Sequence, residues 1–167
     1  MAVLARLDVG GETVVLRRAV ATDVAGIVEL LAADQLGGGR DGGDLAPYLA
    51  AFAAIDADPA QLLVVAVDDE GRLAATFQLS FIPGLARRGS LRAQVEAVRV
   101  APDRRGGGLG RAMITWAVDE ARRHGCTLVQ LTTDKRRTGA RRFYEGLGFT
   151  ATHEGMKLLV AADGDGV

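Results

Sequence analysis

VLARLDV and TVVLRRAV are short apolar-rich runs on either side of GGE, a pattern that predicts two strands around a glycine turn. From Asp23 the period changes. In VAGIVELLAAD the apolar residues Val24, Ile27, Val28 and Leu31 recur every three to four positions, one face of a helix that Asp23 starts. QLGGGRDGGD, Gln35 to Asp44, holds five glycines and reads as a flexible loop. Asp44 then caps a second helix, LAPYLAAFAAI, that runs to Asp56 and tolerates Pro47 in its first turn. QLLVVAV and RLAATFQLSFI are strands joined by DDEG, and SLRAQVEAVRV is a further strand that Pro102 ends. A helix follows from about Gly110 to His124. Met113, Trp116, Ala117 and Ala121 form its apolar face, and Gly125 stands where a terminating glycine belongs. CTLVQLTT predicts a strand, TGARRFYEGL a short helix closed by Gly148, and FTATHEGMKLLV a last strand pair before a frayed tail. The order ββααβββαβαβ(β) makes the fold α/β or α+β with a largely antiparallel sheet.

The stretch VAPDRRGGGLGRAM sets three consecutive glycines, Gly106 to Gly108, between a strand and a helix. A helix N-terminus presents unpaired backbone N–H groups and the positive end of a dipole, and anions bind there. Glycines let the backbone approach the anion, and adjacent arginines add charge. RRGGGLGR therefore reads as a phosphate cradle. It is not a nucleotide P-loop, because Gly110 is followed by Arg111-Ala112 rather than Lys-Ser/Thr. Nor does it satisfy the dinucleotide pattern G-x-G-x-x-G.

Arg105-Gly106-Gly107-Gly108-Leu109-Gly110 fits R/Q-x-x-G-x-G/A and so resembles the pyrophosphate-binding motif of the GNAT superfamily of acyl-CoA-dependent N-acyltransferases. VEAVRVAPDRRGGGLG resembles that family's fourth strand and loop before the helix, LVQLTT its fifth strand, ARRFYEGLGF its C-terminal helix signature, and VVLRRAVATDVAGIVELL its opening strand and helix. The resemblance covers roughly Thr13 to Leu159. It implies one N-acetyltransferase domain over residues 1–167, with a leader strand in 1–12 and a frayed tail in 162–167. The implied fold is a three-layer α+β arrangement, its mixed, largely antiparallel sheet having splayed central strands flanked by helices.

The resemblance also implies site residues. The backbones of Val98 and Val100 would pair with the pantetheine arm of acetyl-CoA. The N–H groups of Gly106, Gly108, Leu109 and Gly110 would hold the pyrophosphate, with Gly107 in the same loop and Arg105 adding charge. Tyr144 aligns with the family tyrosine that protonates the leaving thiolate, and a phenol with a pKa near 10 suits that task. Glu96 stands where many members carry a general base, usually acting through water. On a period-two count Glu96, Val98 and Val100 share one face, and an acid buried in mid-strand is costly without a reason. Arg137 replaces an asparagine common in the family and could reach a phosphate instead. The family's habit of pairing through C-terminal strands implies a homodimer through THEGMKLLV.

Composition narrows the partners. A net charge of −1 gives no global case for nucleic acid, so only local arginine clusters at Arg104, Arg105 and Arg111, and at Arg136, Arg137, Arg141 and Arg142, suit a small polyanion. The single Cys126 excludes an intramolecular disulfide, the N-terminus lacks a signal-like core, and no apolar run is long enough to span a bilayer. The expected setting is the cytoplasm. His124, His153 and Cys126 make no ligand set, so no metal is expected, and the absence of G-x-S-x-G gives serine hydrolase chemistry no support. The expected acceptor is a small-molecule amine. A protein amine, an aminoacyl-tRNA or a non-catalytic CoA-binding role are the alternatives.

Overall fold

The computed structural model describes residues 3–33, 41–158 and 160 of the chain. It divides into two compact units, Met1–Leu131 and Thr132–Val167. The first holds a six-stranded sheet in simple order: β1 (Val3–Val9), β2 (Glu12–Arg18), β3 (Gln61–Val67), β4 (Leu73–Pro83), β5 (Leu91–Val100) and β6 (Leu128–Leu131). Neighbours are antiparallel from β1 to β5, and β5 pairs with β6 in parallel. The largely antiparallel sheet is the one the pattern predicts, and the parallel β5–β6 pair makes it the mixed sheet that the resemblance implies.

Helices cover both faces of the sheet. α1 (Val24–Ala32) and α2 (Ala46–Ala57) lie on the side reached by Thr76 and Gln78, while α4 (Leu109–Arg123) lies on the side reached by Phe77. Phe77 meets the Trp116 ring edge-on at 6.0 Å between centroids. Leu79, Met113, Ile114 and Ala117 are fully buried, as expected of a helix stripe seated on a sheet. Because β4 is covered on both faces, its sequence is nearly continuous in apolar residues rather than alternating. A short turn, α3 (Ala86–Gly89), links β4 to β5.

Local signals fix the helix ends. Asp23 does precede α1, but its carboxylate serves the preceding turn, accepting hydrogen bonds from the Val20 N–H at 2.8 Å and from both terminal nitrogens of Arg17 at 2.6 and 2.8 Å. Burial pushes the Asp23 carboxyl up, but these hydrogen bonds outweigh it and hold it below its ordinary value. Asp44 accepts the Ala46 N–H at the start of α2. At the end of α4, Gly125 takes φ +77°, and Cys126 N–H reaches back to the Ala121 carbonyl, closing the helix with the left-handed glycine that its sequence predicts.

The second unit holds α5 (Thr138–Glu145), ended by Gly148 at φ +91°. The strand pair expected over FTATHEGMKLLV is not formed: among the described residues after Gly148 there is no strand. An extended segment becomes a strand only when a neighbour satisfies its backbone, and Met156 and Leu158 stand almost fully exposed. The strand expected over CTLVQLTT is likewise shorter, four residues. Most of the loop expected from Gln35 to Asp44, and the tail 162–167, fall outside the described residues.

Candidate active site

The glycine loop leads into α4 with Gly108 as N-cap, and no side chain caps that helix end. Gly106 and Gly108 have φ of +82° and +93°, where a side chain would be strained. Gly107 does not, yet a Cβ built there meets nothing within 4 Å. The loop thus keeps its outer side open over a helix N-terminus, where unpaired backbone N–H groups favour anions. Its inner side is backed by the β1–β2 turn: a Cβ on Gly108 would stand 3.6 Å from Val9, and Gly10 approaches the Gly107 carbonyl. Leu109, buried under the loop, fixes the first turn.

The two adjacent arginines differ sharply. Arg104 is spent on structure. Its guanidinium bonds Asp68 at 2.7 Å and also pairs with Glu12, tying the loop to the β3–β4 and β1–β2 turns. Asp68 is buried and also accepts the Glu70 and Arg72 backbone N–H groups and Arg72 Nε. Burial raises its pKa, but the Arg72 bonds and the Arg104 charge prevail and hold it below the ordinary value. Arg105 is exposed, and its Nε donates to the Val100 carbonyl at 3.1 Å. In sequence Arg104 belongs to a cluster suited to a small polyanion, and its anchoring role shows only in its tertiary partners. The Asp-rich turn DDEG is the signal that could have supplied the partner. In the second cluster, Arg136 is held by Asp134 and Arg141 by Glu145.

β5 opens toward the loop. Its pairing with β6 ends at Val95–Leu131, so from Glu96 onward that edge of β5 has no strand partner among the described residues. The Ala101 N–H donates to Ala74. Backbone alternation therefore turns the polar groups of Val100, and of Val98 two residues before, toward the open edge. Their carbonyls accept Arg105 and Arg99 side chains instead of β4.

The period-two count fails within this strand. Gln78 pairs with Glu96 and Thr76 with Arg99, so Phe77 alone opposes Ala97 and Val98, a bulge at which Ala97 takes φ +51°. Cross-strand partners share a face. Glu96 and Arg99 therefore share the face of Gln78 and Thr76, while Val98 and Val100 fall on the α4 face. Glu96 is exposed rather than buried, and no cation engages its carboxylate among the described residues.

On that face, between α1, α2 and the bulge, lies a pocket of about 110 Å³, open to solvent. Val24, Ile27, Val28 and Leu31 line it from α1, and residues 48, 51, 52 and 55 line it from α2. Both sets follow i, i+3, i+4, i+7, the spacing of one helix stripe. No residue of α2 is fully buried: Tyr48, Phe52 and Ile55 are half-buried, and Phe52 packs with Leu31 against the core, so the stripe borders both the core and this space. Leu63, Thr76, Gln78 and Ala97 form the floor.

Tyr144 and Arg137 belong to the second unit. The Tyr144 ring packs edge-on against Phe143 and Phe149, at 5.0 and 5.8 Å between centroids. Phe149 is brought there by the helix end, where its N–H bonds the Tyr144 carbonyl and the Gly148 N–H bonds Glu145. The ring is thus rigidly seated and half-buried. Arg137 is the N-cap residue of α5, and its carbonyl accepts the Arg141 N–H.

The model of the family described as "Acetyltransferase (GNAT) family" matches residues 26–149, most of the chain. The chain belongs to the acetyltransferase (GNAT) family. A glucosamine 6-phosphate N-acetyltransferase of Trypanosoma brucei brucei is 35% identical over 88 residues, 53% of this chain and 58% of that protein. Matches to named relatives span between 19% and 58% of those proteins' lengths. Among solved structures, a protein of Bacillus halodurans C-125 described as a transcriptional regulator is 41% identical with a TM-score of 0.84, covering 88% of this chain and 99% of that one. An acetyltransferase of Trypanosoma brucei is 28% identical with a TM-score of 0.73, covering 88% and 99%. This GNAT protein thus shares its family over residues 26–149 and its fold over 88% of the chain with these structures. Among its described residues no helix is long and apolar enough to cross a membrane.

Proposed function

We propose that this GNAT protein is an N-acetyltransferase that moves an acetyl group from acetyl-CoA to the primary amine of a small molecule. One observation carries the reading. The open edge of β5 at Val98 and Val100 runs directly into a glycine loop over the uncapped N-terminus of α4. An extended pantetheine arm would hydrogen-bond that edge, and its pyrophosphate would meet the N–H groups of Gly106, Gly108, Leu109 and Gly110. Gly107 supplies clearance, and Arg105 supplies charge. Arg137 is assigned a supporting phosphate contact. The pocket beside Glu96, enclosed by two helices, favours a small acceptor over a protein or tRNA end.

Acetyl-CoA supplies the activated thioester. Glu96, directly or through one water, takes a proton from the acceptor ammonium. The freed amine nitrogen bonds the acetyl carbon as the carbon–sulfur bond breaks. Tyr144 gives its phenolic proton to the departing sulfur, and the second nitrogen proton returns to the phenolate through solvent, leaving an amide and free CoA. The seating of Tyr144 between two aromatic rings supports this role, because it limits the ring to few orientations.

Steady-state kinetics test the assignment. Tyr144→Phe keeps the packing and removes the proton donor, so kcat should fall by about 10²–10⁴ with acetyl-CoA affinity unchanged. Glu96→Gln should move the active pH range upward for amines whose pKa lies well above the assay pH. Wild-type kcat in Tyr144→Phe returns the tyrosine to a packing role, and an unmoved pH profile in Glu96→Gln removes the base.

A further inference from the structure

Resting on that reading, we infer that the acceptor is an amine with an uncharged, apolar body, an arylalkyl or branched alkyl amine, rather than a phosphorylated or sugar amine. The pocket beside the β5 bulge carries the argument. Two helix stripes of identical spacing converge on it, and they contribute Val28 and Leu31 from one side and Phe52 and Ile55 from the other. Such stripes ordinarily close on each other as core. Here the α2 stripe is only partly buried, Phe52 packing with Leu31 against Ala19, Ile27 and Val65, and the remaining space opens on the sheet face that carries Glu96.

The three polar side chains in the wall each have a hydrogen-bond partner within the protein. Thr76 Oγ1 donates to the Val64 carbonyl at 2.9 Å. The Gln78 amide nitrogen donates to Gln61 at 2.9 Å. The Tyr48 hydroxyl accepts the Gly42 N–H at 2.9 Å and reaches Asp41. Among the described residues no charged side chain lines the pocket. Arg99 lies on the sheet face opposite Thr76, and its Nη1 donates to the Val98 carbonyl. A phosphate or phosphonate seated among these apolar walls would lose its hydration with no charged lining residue among those described, which is unfavourable. An aromatic or branched alkyl body would gain from the same walls, while its ammonium stays on the wet side with Glu96. A single methylene in such a pocket discriminates by about tenfold or more.

The test compares 2-phenylethylamine with 2-aminoethylphosphonate and glucosamine 6-phosphate, measuring both turnover and calorimetric binding to the acetyl-CoA-loaded protein. Ile55→Asp places a charge in the wall at a half-buried position, so urea melts establish that each variant is folded, and Ile55→Leu is the conservative control. The expected result is a KM for 2-phenylethylamine at least tenfold below that of either phosphorylated amine. It should rise at least tenfold in Ile55→Asp and stay near wild type in Ile55→Leu, with acetyl-CoA affinity constant. Preference for a phosphorylated amine, or indifference to Ile55→Asp, overturns the inference. If acetyl-CoA binds and no amine releases thiol, the transferase reading fails by itself. Calorimetry still decides the pocket, since binding of 2-phenylethylamine that Ile55→Asp abolishes upholds its apolar specificity, and no binding ends it.

Discussion

Gly107 separates the loop's fold from its ligand. Gly106 and Gly108 sit at positive φ, so any replacement there disturbs the backbone and confounds a loss of binding. Gly107 lies outside that region, and a Cβ on it meets nothing within 4 Å. Gly107→Ala should therefore leave stability within about 0.5 kcal/mol of wild type, as expected for an unencumbered surface site. Gly107→Asp adds a unit charge to the proposed pyrophosphate seat. At about 5 Å two like charges repel by about 0.8 kcal/mol in water and about 3 kcal/mol at an effective dielectric near 20. The dissociation constant of acetyl-CoA should then rise by a factor between about 4 and about 200 per phosphate charge. The effect should shrink as salt screens the pair. Titration calorimetry at low and high salt, with urea melts of each variant, reads both quantities. A folded Gly107→Asp protein that binds acetyl-CoA as tightly as wild type would refute the cradle.

Other outcomes follow from the same geometry. Asp68→Asn should free Arg104 and weaken acetyl-CoA binding several-fold although neither residue touches the ligand. In a double-mutant cycle with Arg104→Ala the two losses should overlap rather than add, and strict additivity would show that the pair does not hold the loop. Asp23→Ala leaves Arg17 mostly buried without its partner and should cost about 2–4 kcal/mol at neutral pH. Because the folded Asp23 pKa lies below its unfolded value, that contribution exists above the ordinary carboxylate range and disappears as pH falls through the folded pKa. Denaturant melts of wild type and Asp23→Ala should converge in acid, and a constant gap contradicts the assignment. Pairing of two chains through the segment that exposes Met156 and Leu158 should appear as a dimer in light scattering, and a monomer at micromolar concentration excludes it.

Some of this was legible in the sequence because it is written in local chemistry. Gly125 and Gly148 end their helices as glycines at such positions do, and the stripe at Val24, Ile27, Val28 and Leu31 was evident from its spacing. What that stripe faces was not, since periodicity marks an apolar face without saying whether core or ligand covers it. The bulge was invisible for a different reason. Alanine rarely adopts positive φ, so Ala97 carries none of the signal that glycine or asparagine would, and a strict alternation placed Glu96 on the wrong face relative to Val98 and Val100. Arg104 and Arg105 are identical neighbours, and only tertiary partners divide them into an anchor and an exposed cation. The missing final strand pair reflects the same dependence: a β-rich composition cannot form a ladder without a neighbour.

The central claim is acetyl transfer to an amine, and one measurement addresses it directly. Purified protein is incubated with acetyl-CoA and 2-phenylethylamine, thiol release is followed continuously, and the amine product is identified by mass spectrometry. The account predicts thiol release that depends on both substrates, matched mole for mole by the N-acetylated amine, and suppressed in Tyr144→Phe. Acetyl-CoA that binds but is never turned over, with no acetylated product from any primary amine tested, would contradict it.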